Sequence, residues 1–114
     1  MKNKSILVLV LSLFVPRFAG RSVFVTGGGS GIGAAACVRI AAEGGSIAVV
    51  DKRLDTAQAV ADEITASGGS AIALEADVAV EEDVAAAVAA TVSKFGGIDA
   101  VFSNAGTSGF GWIH

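Results

Sequence analysis

The 114-residue chain contains no tyrosine, one cysteine and one histidine. With Cys37 alone, an internal disulfide is excluded, and Cys37 and His114 are too few for a His/Cys metal cluster. Cys37 lies among alanines, the setting of a small buried residue rather than a nucleophile. No candidate metal ligand set remains. Basic runs are also lacking. The eight lysines and arginines are scattered and the net charge is -3, so nothing tracks a phosphate backbone and nucleic acid is not an expected partner.

A membrane-length apolar run is missing too. The longest such stretch, Ile6 to Val15, falls short of the roughly 20 residues a spanning helix needs. Lys2 and Lys4 ahead of it give the look of a secretory signal, but Arg17 and Phe18 stand where a cleavage site needs small residues. Three readings stay open: a signal or membrane-surface anchor through residues 5–15, an extra element packed on the domain, or an artefact of the assigned start. Met1 is the only methionine, so a later start would need a non-standard codon. Residues 1–17 are read as a hydrophobic extension, residues 18–114 as the domain, and the cytoplasm as the expected compartment.

Hydrophobic residues make up 53% of the chain and glycines number 15, which suits helices packed tightly on a sheet with many turns. From residue 22 a regular alternation begins. Ser22 to Thr26 is β-rich, Ala34 to Glu43 favours helix, and Gly44-Gly45 is a stop. Ser46 to Val50 is a second strand closed by Asp51. Leu54 to Ala66 is a helix with Ala57, Val60, Ala61 and Ile64 on its apolar face, stopped by Gly68-Gly69. Ala71 to Leu74 is a third strand. Glu81 to Phe95 is a third helix, with Val84, Val88, Thr91, Val92 and Phe95 on one side, and Gly96-Gly97 ends it. Its acidic first turn, Glu81 to Asp83, suits the helix dipole. Ile98 to Ser103 is the fourth strand. Thr107 to His114 carries no periodicity. Strands that are apolar along their length predict a parallel sheet covered on both faces.

The cluster Gly27-Gly28-Gly29-Ser30-Gly31-Ile32-Gly33 sits between a strand and a helix, the setting of a dinucleotide fingerprint. Glycines let backbone approach a pyrophosphate, and a helix starting near Ser30 to Ile32 points free N–H groups at it. Gly29-x-Gly31-x-x-Ala34 fits the general spacing. Asp51, twenty residues after Gly31 at a strand end, can accept hydrogen bonds from adenosine ribose hydroxyls and repel a 2′-phosphate. NAD is therefore expected, with NADP open because Lys52 and Arg53 follow.

Thr26-Gly27-x-x-x-Gly31-x-Gly33 resembles the short-chain dehydrogenase/reductase family. Asp77-Val78 and Asn104-Ala105-Gly106 extend the resemblance in sequence order, over about residues 18 to 106, with Ser103 replacing the family's usual first asparagine. The resemblance implies an incomplete Rossmann-type, doubly wound parallel α/β sheet of about four strands in the order 3-2-1-4. It implies an adenine contact for Asp77 beside Val78, and a brace from Asn104 to Thr26. The cofactor residues expected are Gly27, Ser30, Gly31, Ile32, Gly33, Asp51, Asp77, Val78, Asn104, Ala105 and Gly106. The family's chemistry uses a Tyr-x-x-x-Lys pair, which a chain without tyrosine cannot contain, so no catalytic residue is assigned.

The expected function is the NAD(P)-binding portion of an oxidoreductase acting on alcohols or carbonyls, homo-oligomeric only as a complete protein. The alternatives are a non-catalytic nucleotide-binding module and a degenerate fragment. Order 3-2-1-4 leaves the fourth strand as an exposed edge and a single helix on one face. Val23, Val25, Val49 and Val101 are then expected to be only partly buried, and the chain to aggregate.

Overall fold

The computed structural model describes residues 17–104 and 109–112. Five strands alternate with three helices at first and then run together: β1 (Ser22–Thr26), α1 (Gly31–Ala42), β2 (Ser46–Asp51), α2 (Leu54–Ala66), β3 (Ser70–Glu75), α3 (Glu81–Phe95), β4 (Ala100–Ser103) and β5 (Gly109–Trp112). The sheet order is β3-β2-β1-β4-β5. The first four strands are parallel, in the expected order, and each βαβ link crosses back to the same sheet.

The fifth strand was not legible in the sequence. β5 pairs antiparallel with β4, Ala100 opposite Trp112 and Ser103 opposite Gly109, so β4 is an interior strand and not the edge. GFGW is too short, and too broken by glycine, to alternate convincingly. Its strand state comes from the ladder that β4 offers.

Side-chain parity along β1 decides which face each residue meets. Val23 and Val25 stand in register with Ile47 and Val49 and pack with Cys37 and Ile40 of α1 and Val60 and Ile64 of α2. Three of the four valines expected to be partly bare, Val23, Val25 and Val49, are 0% exposed because they point to the two-helix face. The one-helix face takes Phe24, Ala48 and Val50, against Ala87 of α3, and these too are buried. Val101 on that face is half-buried, as expected.

The α2 stripe Ala57, Val60, Ala61 and Ile64 is buried as its spacing predicts. Burying an aliphatic side chain the size of Val60 or Ile64 contributes about 1.5–3 kcal/mol. On α3 the buried line is Ala87 and Thr91, with Val92 left 43% exposed. The buried Thr91 hydroxyl is satisfied by donating to the Ala87 carbonyl at 2.8 Å. α1 begins at Gly31, within the expected start near Ser30 to Ile32, because the glycine loop itself turns into the helix.

Helix ends follow the glycine pairs. At the end of α1, Gly44 N–H donates to Ala41 O at 3.0 Å and Gly45 N–H to Ile40 O at 3.1 Å, the two bonds of a Schellman cap. α2 repeats it, with Gly68 donating to Thr65 and Gly69 to Ile64. Just beyond α1, Glu43 is bound by Arg39 at 2.6 Å and by Arg17, and Phe18 N–H donates to Glu43 O at 3.0 Å. These bonds tie the start of the described chain to the end of α1. The expectations for residues 1–16 lie outside the described residues. Among those described, no helix is long and apolar enough to cross a membrane.

Candidate functional site

Parallel strands place their carboxyl ends along one edge of the sheet, and the sequence puts its unusual residues there. Gly27 follows β1, Asp51 ends β2, Asp77 lies two residues beyond β3, and Asn104 follows β4. The order β2-β1-β4 makes the β1/β4 border the point where the winding reverses, the place such sheets leave a crevice for ligands.

The glycine loop is held from three sides. Gly28 N–H donates to Val50 O at 3.0 Å, linking the loop to β2. Asn104 Nδ2 donates to Gly27 O at 3.4 Å, and Asn104 N–H donates to Thr26 Oγ1 at 3.1 Å. The expected brace between Asn104 and Thr26 is thus present. Beneath the loop Cys37 is fully buried, and burial pushes its thiol up to about 12, which makes it packing and not a nucleophile.

Two glycines show why no other residue serves. A Cβ at Gly33 would run into the Gly27 carbonyl oxygen and lie 3.0 Å from Asn104 Nδ2, so α1 can approach the loop only without a side chain there. Gly31 has φ +59° and a Cβ built on it meets nothing within 4 Å. The backbone there is left-handed, which costs an L side chain about 1–2 kcal/mol, and it faces open space.

Ser30 is the N-cap of α1, but its side chain makes no capping bond, so its hydroxyl is uncommitted above the helix N-terminus. Ile32 is 71% exposed and Val78 41% exposed. This edge therefore combines helix N–H groups, a hydroxyl, two apolar side chains and an open approach over Gly31. Such an arrangement can hold an anionic phosphate and cover a planar ring.

Asp51 is half-buried and its carboxylate is gripped by backbone. Oδ2 accepts from Gly29 N–H at 2.9 Å and Oδ1 from Arg53 N–H at 3.1 Å. Each oxygen keeps a second lone pair for an incoming hydroxyl. The Arg53 guanidinium is turned to Asp55 at 3.3 Å. Asp77 Oδ1 accepts from Ala79 N–H at 2.9 Å, while Asp77 N–H donates to Asp83 Oδ2 at 3.0 Å.

The sequence match covers nearly everything described. The family model for short chain dehydrogenase matches residues 21–114. The chain belongs to the short-chain dehydrogenase family. A 2,5-dichloro-2,5-cyclohexadiene-1,4-diol dehydrogenase of Sphingobium indicum is 46% identical over 87 residues, 76% of this chain and 34% of its own length. A cyclohexanol dehydrogenase of an Acinetobacter species is 44% identical over 93 residues, 82% of this chain and 37% of its own. Among solved structures, a 7α-hydroxysteroid dehydrogenase complexed with NADH and 7-oxo glycochenodeoxycholic acid superposes with TM-score 0.78 at 36% identity. That match covers 81% of this chain and 36% of the other. This short-chain dehydrogenase chain spans about a third of the length of the relatives it matches.

Of the expected site residues, Gly27, Ser30, Gly31, Ile32, Gly33, Asp51, Asp77, Val78 and Asn104 all lie at the one edge. Ala105 and Gly106 lie outside the described residues. Sequence reading missed three contributors: the Gly29 N–H that holds Asp51, the Asp83 carboxylate behind Asp77, and Thr56 against Gly29. Asp83 was legible only as a dipole-matched acid in the first turn of α3. The other two depend on contacts between two loops well separated along the chain, which no local pattern signals.

Proposed function

We propose that this edge binds a nicotinamide dinucleotide, with NAD preferred over NADP. The observation that carries the reading is the bond from Gly29 N–H to Asp51 Oδ2 at 2.9 Å. It fixes a carboxylate against the glycine loop, which supports a site for the adenosine ribose there and repulsion of a 2′-phosphate. The backbone N–H groups at the α1 N-terminus around Gly31, with the Ser30 hydroxyl, would hold the pyrophosphate. Asp77 and Val78 would hold the adenine. Asn104 keeps β4 and the loop together on the nicotinamide side. The NADH held by the similar hydroxysteroid dehydrogenase supports the same ligand class.

The bound cofactor supplies hydride exchange with an alcohol or carbonyl substrate, as the names of the relatives suggest for a longer protein. These residues bind and orient. With no tyrosine in the 114 residues, the chain has no phenol to carry the family's proton transfer.

The test is calorimetric titration of the chain with NAD. Saturable binding is expected, and Gly31→Val abolishes it, because a branched side chain fills the open approach over the loop. Equal NAD affinity in wild type and Gly31→Val overturns the proposal.

A further inference from the structure

The grip on Asp51 has a source one step further out. Both residues whose N–H groups hold its carboxylate have the same side chain, Thr56, beside them. Thr56, the third residue of α2, donates its hydroxyl to the Arg53 carbonyl at 2.9 Å. Arg53 is the residue whose N–H holds Asp51 Oδ1. The same Thr56 side chain fills the space beside Gly29 where a Cβ would stand, and Gly29 N–H holds Oδ2. A Cβ on Gly29 would run into Thr56 Oγ1, and would lie 2.9 Å from both Thr56 Cβ and Asp51 Oδ2. Thr56 and Asp51 thus meet the same face of the glycine loop.

We infer that Thr56 is a positioning residue for cofactor choice, locking the Asp51 carboxylate between the β1–α1 and β2–α2 loops. The inference rests on the dinucleotide reading above and deepens it. Discrimination against a 2′-phosphate requires the carboxylate to stay where it is. A carboxylate free to rotate away would stop repelling the phosphate and stop accepting from the ribose diol. Lys52 and Arg53 stand next in the chain to favour that phosphate once Asp51 moves. Thr56 restrains that movement by fixing both N–H donors at once. Its hydroxyl bond to the Arg53 carbonyl also braces the first turn of α2, so a role confined to that turn must be separated by experiment.

The experiment titrates NAD and NADP into the 114-residue chain as wild type, Thr56→Ser, Thr56→Ala, Thr56→Val and Asp51→Asn, with a melting curve for each. Thr56→Ala is expected to weaken NAD roughly three- to tenfold, the range of one lost hydrogen bond, with NADP affinity unchanged or raised. Thr56→Ser keeps the hydroxyl and is expected to restore the wild-type NAD/NADP ratio. Thr56→Val keeps the bulk without the hydroxyl and carries the same test if the alanine variant folds poorly; it too should lower the ratio. A melting temperature that falls while the ratio stays at the wild-type value makes Thr56 a brace of the first α2 turn only, and overturns the inference. So does an equal loss for both cofactors. If Asp51→Asn shifts the ratio while the Thr56 variants do not, the inference fails and the function stands. If Asp51→Asn shifts nothing, or wild type binds neither cofactor, both fail.

Discussion

Replacing Gly33 with alanine tests the tightest contact in the site. Gly33 is buried in the first turn of α1, and its added methyl would run into the Gly27 carbonyl oxygen, with Asn104 Nδ2 3.0 Å away. The amide of Asn104 can swing aside, but the Gly27 carbonyl is backbone in a loop held by Val50 and Asn104. Relief therefore means moving the loop or the helix. Alanine gains about 1 kcal/mol over glycine in helix propensity. Overpacking of this kind costs about 1–3 kcal/mol, and a rigid backbone neighbour puts the cost in the upper part of that range. The net loss is about 1–2 kcal/mol, a fall of roughly 4–8 °C in Tm for a domain of this size. Binding should suffer more than stability. A loop shifted off Gly27 loses at least one charged hydrogen bond to a phosphate, about 1.5–3 kcal/mol, which is roughly ten- to a hundredfold in Kd. Thermal melting followed by circular dichroism and calorimetry with NAD read the two effects separately. A Gly33→Ala chain that melts at or above the wild-type temperature and binds NAD equally well would refute both the contact and the loop's role.

The Cys37 thiol, pushed up to about 12 by burial, should resist Ellman's reagent at pH 8 in the folded chain and react fully in denaturant. Because its folded pKa lies above the ordinary value of 9.0, its contribution to stability is complete below 9.0 and is lost as pH rises toward 12, visible in alkaline melting curves. The Glu43 carboxyl is held below its ordinary value of 4.5 by the Arg39 hydrogen bond and, next, by Arg17, so its contribution is complete above 4.5 and lost as pH falls through its depressed value. Both arginine partners are largely exposed, 61% and 72%, while Glu43 itself is 16% exposed, so Glu43→Gln should cost about 1 kcal/mol in urea denaturation at pH 7. The purified 114-residue chain should show no oxidation of alcohols with NAD, since it has no tyrosine; turnover that scales with chain concentration and survives removal of host enzymes would contradict this.

Much of the molecule is written locally. The order of strands and helices follows from apolar runs punctuated by glycine pairs, and the bonds of Gly44-Gly45 and Gly68-Gly69 to the helix ends show why those pairs stop helices. The Thr26 to Gly33 segment, Asp51, Asp77 and Asn104 are legible because each lies at the end of a strand, and parallel strands bring such ends to one edge without further instruction. Spacing along the chain, together with the family resemblance for Asp77 and Asn104, is then enough to point to this edge as the candidate site.

What tertiary structure alone decided are matters of facing and of grip. Val23, Val25 and Val49 are buried rather than bare because strand parity turns them to α1 and α2, and a uniformly apolar strand does not announce its parity. GFGW becomes a strand because β4 presents it with an unpaired edge, a condition outside its own four residues. Val92 of α3 faces solvent while Ala87 and Thr91 face the sheet, a rotation set by packing and not by hydrophobicity. The hold on Asp51 belongs to the same class. Its identity and position are in the sequence, but its partners Gly29 and Arg53, and Thr56 behind them, are chosen by two loops meeting at the edge of the folded sheet.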